Sequence, residues 1–186
     1  MMLSGCSRRL AQFRREASIC QRQFSTIPSL THVDSKGTAR MVDVHHKTST
    51  VRRAVATCQV HLGSAAFRSV IDNTNKKGDV LSVARVAGIV AAKQTSSLIP
   101  LCHSLNLDHV KIDFNLDKGS EVLTVHSTVQ CTGKTGVEME ALCSVSVAAL
   151  TVHDMCKAIN PGIVISEIKL LEKSGGVRGD YKIEDK

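Results

Sequence analysis

From Val51 to Leu62 the chain reads VRRAVATCQVHL, in which apolar and polar positions alternate closely enough for a strand with one buried face. Ser64 follows as a candidate helix cap, for a helix running through about Asn73. KKGD, Lys76 to Asp79, makes a turn. From Val80 to about Ser97 apolar residues return at helical spacing, at Val80, Val83, Ala84, Ala87 and Ala91, and the run ends before Pro100. HVKIDFNLD and EVLTVHSTVQC then alternate with period two on either side of Lys118 and Gly119, which predicts a hairpin. The stretch Thr132 to Lys157 has helical spacing and a middle, Val145 to Val152, that is apolar or small on all sides, as in a helix buried inside a domain or at a subunit contact. Asn160, Pro161 and Gly162 stop it, and IVISEIKLLE makes a last strand. Strand, helices, hairpin, helix, strand predicts an α+β domain of the split ferredoxin-like βαββαβ type: one antiparallel sheet with helices on one face.

The long helix carries charges that its apolar middle does not explain. Glu138 and Glu140 in its first turns complement the helix dipole, which favours each by roughly 0.3 to 1 kcal/mol. Asp154 lies at the opposite end, where the dipole disfavours it. Lys157 is three residues on, so carboxylate and ammonium share a face and either form a simple helix ion pair or converge on one ligand. Just before the helix, GKTG sets Lys134 between glycines at a place where backbone N–H groups are free to hold an anion. Three more polar clusters sit in loops. They are Lys76 to Asp79, Cys102 with His103 after Pro100, and Lys173 ahead of Ser174, Gly175 and Gly176. Each alone is a solvated loop or a satisfied histidine. Four in one short domain, with lysines suited to a phosphate chain, point to a ligand site.

Composition narrows the classes. Residues 1–29 carry five arginines, Glu16 as the sole acid and no lysine, with recurrent serine, which is the make-up of a mitochondrial or plastid transit peptide. RQFST around Phe24 resembles a matrix-processing site, so the expected location is the mitochondrial matrix and the expected folded domain is 30–186. Without the leader the formal charge of +7 falls to about +3. The seven cysteines include no CxxC pair, which fits reduced thiols better than a zinc ribbon or a disulfide framework. A ferredoxin-like sheet also suits RNA, but 3% aromatic residues and no tryptophan leave few platforms for bases. A non-catalytic assembly subunit would explain the apolar helix but not the charged clusters. His45 and His46 are adjacent, and His153 points away from Asp154, so no metal set is predicted.

GKTGVEMEAL followed by AALTVHDMCKA resembles the signature of the MoaC family, the cyclic pyranopterin monophosphate synthases of molybdenum cofactor biosynthesis. MVDV at Met41 to Val44, KKGDVLSVARVAGIVAAK from Lys76, LIPLCHSL from Leu98 and KSGG from Lys173 agree in order. The resemblance implies a lyase that converts 3′,8-cyclo-7,8-dihydroguanosine 5′-triphosphate, supplied by a radical-SAM GTP cyclase, to cyclic pyranopterin monophosphate with loss of diphosphate. It implies no resident cofactor and a homo-oligomer built on dimers, up to a hexamer, with shared sites. Whether magnesium accompanies the triphosphate is left open. By resemblance Asp154, Lys157 and Lys77 are catalytic, and Leu101, Cys102, His103, Glu138, Met139, Glu140 and Lys173 bind substrate. Ser104 stands where the family usually has proline, which would loosen the His103 loop.

Overall fold

The computed structural model describes residues 37–184; the expected leader lies outside the described residues. Strand β1 (Thr50–His61) is followed by helices α1 (Ser64–Ile71), α2 (Val80–Lys93) and α3 (Thr95–Leu98). The hairpin β2 (His109–Asp117) and β3 (Val122–Gly133) leads into α4 (Glu138–Cys156), then β4 (Val164–Ser174) and β5 (Tyr181–Lys182). The strands form one sheet in the order β2-β3-β1-β4-β5, and every adjacent pair is antiparallel. The first four strands keep the ferredoxin-like order.

The alternation along the strands decides which face is covered. Ala54, Ala56, Cys58 and Val60 of β1 and Leu123, Val125, Val129 and Cys131 of β3 are all fully buried. They meet Ala141, Val145, Ala148, Ala149 and Val152 of α4 in one apolar core. Truncating a filled position such as Leu123 to alanine would cost about 2–5 kcal/mol. Helix α2 crosses α4 closely because Gly88 has no side chain. A Cβ there would collide with Ile112 Cδ1 and lie 2.9 Å from the Ser144 carbonyl oxygen.

Several boundaries differ from the pattern. Ser64 is the first helical residue and not the cap; Gly63 precedes it at φ 70°, and α1 has no side-chain cap. The single helix expected from Val80 to about Ser97 breaks at Gln94. There the Gln94 amide bonds both Val90 and Ala91 carbonyls, tightening the turn, and the Thr95 hydroxyl also donates to the Ala91 carbonyl at 3.2 Å. Thr132 and Gly133 end β3, and α4 starts only at Glu138. Its middle is not buried all round either, since Leu150 is 58% exposed. The short β5 was not expected. It pairs Tyr181 with Lys173 and Lys182 with Glu172.

Candidate functional site

The N-terminal end of α4 opens onto a cavity of about 410 Å³ lined by Leu101, Cys102, His103, Glu138, Met139, Glu140 and Lys173. All seven residues expected to bind substrate therefore meet at one place, although the chain separates the first from the last by seventy-two positions. Glu138 Oε1 pairs with Lys173 Nζ at 3.0 Å. Gly136 makes room for that carboxylate, because a Cβ would overlap it. Gly175, at φ 87°, turns the chain beyond Lys173 against the Val51 carbonyl, where a Cβ could not fit, and Thr50 Oγ1 donates to the Gly175 carbonyl at 2.8 Å.

Two groups in this cavity have altered acidity. Glu140 is 4% exposed, and burial raises its pKa, with the neighbouring Glu138 carboxylate adding to the effect. It therefore keeps its proton to a higher pH than usual. The Cys102 thiol is also pushed up, by burial first and then by Glu140 and Cys143, which disfavours the reactive thiolate. His103 Nε2 lies 2.8 Å from the Val42 carbonyl oxygen, which ties its loop to the MVDV segment despite the serine at 104.

The cavity holds cations that the motifs did not single out. Lys47, Arg52, Arg53 and Arg178 line it beside Lys134 of GKTG. Arg53 is paired with Glu172 at 2.6 Å. Arg52 is 6% exposed, and its Nε donates to the Gly133 carbonyl at 3.3 Å. One signal was legible: Arg52 occupies the strand face that Ala54, Ala56, Cys58 and Val60 turn to the core, an unusual position for a guanidinium.

The three residues expected to be catalytic form a second cluster at the other end of α4. Asp154 Oδ2 meets Lys77 Nζ at 2.8 Å, and Oδ1 meets Lys157 Nζ at 2.7 Å. Lys77 also donates to the Asp154 backbone carbonyl at 2.9 Å, one of the acceptors a helix end leaves unpaired. These two ammonium groups hold the Asp154 carboxyl down at about 2, first through their hydrogen bonds and then through charge. Asn75, which the sequence did not single out, positions Lys77. Its Oδ1 accepts from the Lys77 amide at 2.9 Å while its Nδ2 donates to the Met155 carbonyl at 3.1 Å. Gly78 at φ 97° then turns the chain into α2, where Asp79 caps the helix by accepting from the Ser82 amide.

None of Lys77, Asp154 and Lys157 lines the cavity, so one chain brings together two clusters and not a single ten-residue site. Glu140 and Asp154 are fourteen residues apart on one continuous helix, about 21 Å along its axis at ~1.5 Å per residue.

The comparisons agree along nearly the whole described chain. Residues 41–176 match the MoaC family. The chain is 56% identical over 156 residues to the cyclic pyranopterin monophosphate synthase of Heliobacterium modesticaldum, covering 84% of this chain and 98% of that protein. It is 50% identical over 160 residues to the protein of the same name from Chloroflexus aggregans, covering 86% and 97%. Molybdenum cofactor biosynthesis protein 1 of Homo sapiens is 53% identical over 156 residues, which are 84% of this chain and 24% of that longer protein. With the family's motifs gathered at the two ends of one buried helix and the match spanning the sheet and α4, the chain belongs to the MoaC family.

Proposed function

We propose that this chain is a cyclic pyranopterin monophosphate synthase, acting early in molybdenum cofactor biosynthesis, and that each reaction centre combines the cavity of one subunit with the Asp154 cluster of another. The observation that carries this reading is the split of the expected site residues between the two ends of α4. A nucleoside triphosphate cannot comfortably bring both ends of one helix to the same reacting atoms. A suitable contact surface lies nearby: Val83, Val86 and Val90 of α2 and Leu150 of α4 are between 46% and 62% exposed. Apolar residues at this spacing fit a second copy of the chain.

The reaction turns the cyclised guanosine triphosphate derivative into a pyranopterin, closes a cyclic phosphate and releases diphosphate. Ring opening and reclosure need a donor and an acceptor of protons. Burial pushes the Glu140 carboxyl toward the protonated form, which suits the donor, and Asp154, a carboxylate between two lysines, is the second proton-transfer group. Lys173, Lys134, Lys47 and Arg52 suit the developing charge on the departing diphosphate oxygens. A radical-SAM enzyme that cyclises GTP supplies the substrate, and the arginine-rich leader directs both steps to the mitochondrial matrix. Incubating the purified chain with 3′,8-cyclo-7,8-dihydroguanosine 5′-triphosphate should release diphosphate and form the pyranopterin. No release above the uncatalysed rate, with the fold confirmed by circular dichroism, would overturn the assignment.

A further inference from the structure

MVDV has no role in the chemistry above, yet it touches the cavity. Val42 and Val44 are half-buried and line it, while Met41, Asp43 and His45 alternate with them and are exposed. The segment is held from two sides. His103 of the LCH loop meets the Val42 carbonyl at 2.8 Å, and Lys134 of GKTG donates to the His45 carbonyl at 2.9 Å. Within the segment, the His45 amide donates to Asp43 Oδ1 at 2.8 Å and the Lys47 amide to the Val44 carbonyl at 3.0 Å, so Asp43 closes the turn that sets its register.

A backbone carbonyl can only accept. The Nε2 facing Val42 must therefore carry the ring hydrogen, and in neutral imidazole that leaves Nδ1 as the only nitrogen able to take up a proton. We propose that residues 41–47 form a strap that fixes His103 as the Nε2–H tautomer, making Nδ1 its proton acceptor, and that Asp43 is a positioning residue for this reaction through the turn it holds. Asp43 acts without touching the reacting atoms: the turn it holds selects which ring nitrogen is available. Its effect on turnover rests on the reaction assigned above; the state of the ring does not.

The test separates the two. In full-length protein with 15N-labelled histidine, His103 is assigned by loss of its signals in His103→Gln, and long-range proton–nitrogen correlations above the histidine titration report which nitrogen bears hydrogen. Wild type and Asp43→Asn, which keeps the oxygen acceptor, should both carry it on Nε2. Asp43→Ala should show mixed tautomers and a kcat lower by about tenfold with KM within about twofold, well inside the ~10²–10⁴ that a whole acid–base group supplies. Hydrogen on Nδ1 in the wild type, or Asp43→Ala matching Asp43→Asn in either spectrum or kcat, overturns the proposal. If Asp43→Ala does not fold, the wild-type spectrum still decides the tautomer. If the wild type does not turn over the pterin precursor, the Nε2 signal still stands while the reaction assignment falls.

Discussion

Two inactive variants should restore each other. Glu140→Gln keeps the shape of a buried side chain but removes its titrating proton, and Asp154→Asn does the same at the exposed end of α4. If both groups serve one site within a chain, the ~21 Å helix between them must be bridged by a single ligand, and no mixture regains activity. If each site takes Glu140 from one subunit and Asp154 from its neighbour, a site is intact when the first is an Asp154→Asn chain and the second a Glu140→Gln chain. Random exchange makes each condition true half the time, so about a quarter of the sites should recover. The assay is diphosphate release before and after subunit exchange at equal total protein, with exchange followed by mass spectrometry. A fully exchanged mixture as inactive as its parents refutes the shared site and returns the Asp154 cluster to a structural ion-pair network.

The remaining tests concern single positions. Because burial raises the Glu140 pKa, the folded chain holds a proton that the unfolded chain has already released, so stability falls as pH rises from the ordinary carboxylate value through the raised one. Glu140→Gln should remove that loss. Its advantage over wild type in thermal unfolding should widen from pH 4 to pH 8, and a constant gap would contradict the assignment. Asp154 has the opposite sign: its contribution is present above the unfolded value of 3.8 and is lost as pH falls through about 2, so Asp154→Asn should flatten the acid limb of the stability curve. Gly88→Ala sets a Cβ 2.9 Å from the Ser144 carbonyl oxygen and 3.2 Å from Ala148 Cβ, so α2 must shift. Overpacking of about 1–3 kcal/mol less the ~1 kcal/mol of helix propensity gained should lower urea stability by up to about 2 kcal/mol. Ile112→Val, which removes the colliding Cδ1, should partly rescue it. Asn75→Ala leaves the Met155 carbonyl and the Lys77 amide without this partner and should cost about 1–3 kcal/mol on chemical unfolding; an unchanged midpoint would remove Asn75 from its positioning role.

The strands were legible because their alternation is dictated by one buried face. Cys58 and Val60 on β1, like Val125 and Val129 on β3, can point only inward. The break at Gln94 was not legible, since one tightened turn leaves no mark on apolar spacing. β5 is two residues long, too short for any period. Within the site, the glycine-flanked lysines could be read because glycine marks a special backbone. Lys47 and Arg178 could not be, because their position depends on how the strap and the KSGG turn pack together. The separation of Glu140 from Asp154 and the Asp154–Lys157 pair were readable from helix geometry alone, but the Lys77–Asp154 pair required the KKGD loop to be brought to the end of α4 by Asn75.

That loop resolves the oddity of a carboxylate at the wrong end of a helix. The dipole disfavours Asp154, yet Lys77 binds both its side chain and its backbone carbonyl, so a cation meets the dipole and the carboxylate together. The N-terminal end is inverted as well. There the dipole favours a carboxylate, but burial raises the Glu140 pKa. The two carboxyl groups thus sit in opposite environments, one raising and one lowering the pKa, which is the pattern the proposed division into proton donor and acceptor requires. The lysines that keep Asp154 ionised are also the groups a polyphosphate attracts. In the proposed reaction, a phosphate drawing Lys77 or Lys157 away would weaken the hold that keeps the Asp154 carboxyl near 2 and make it a stronger base.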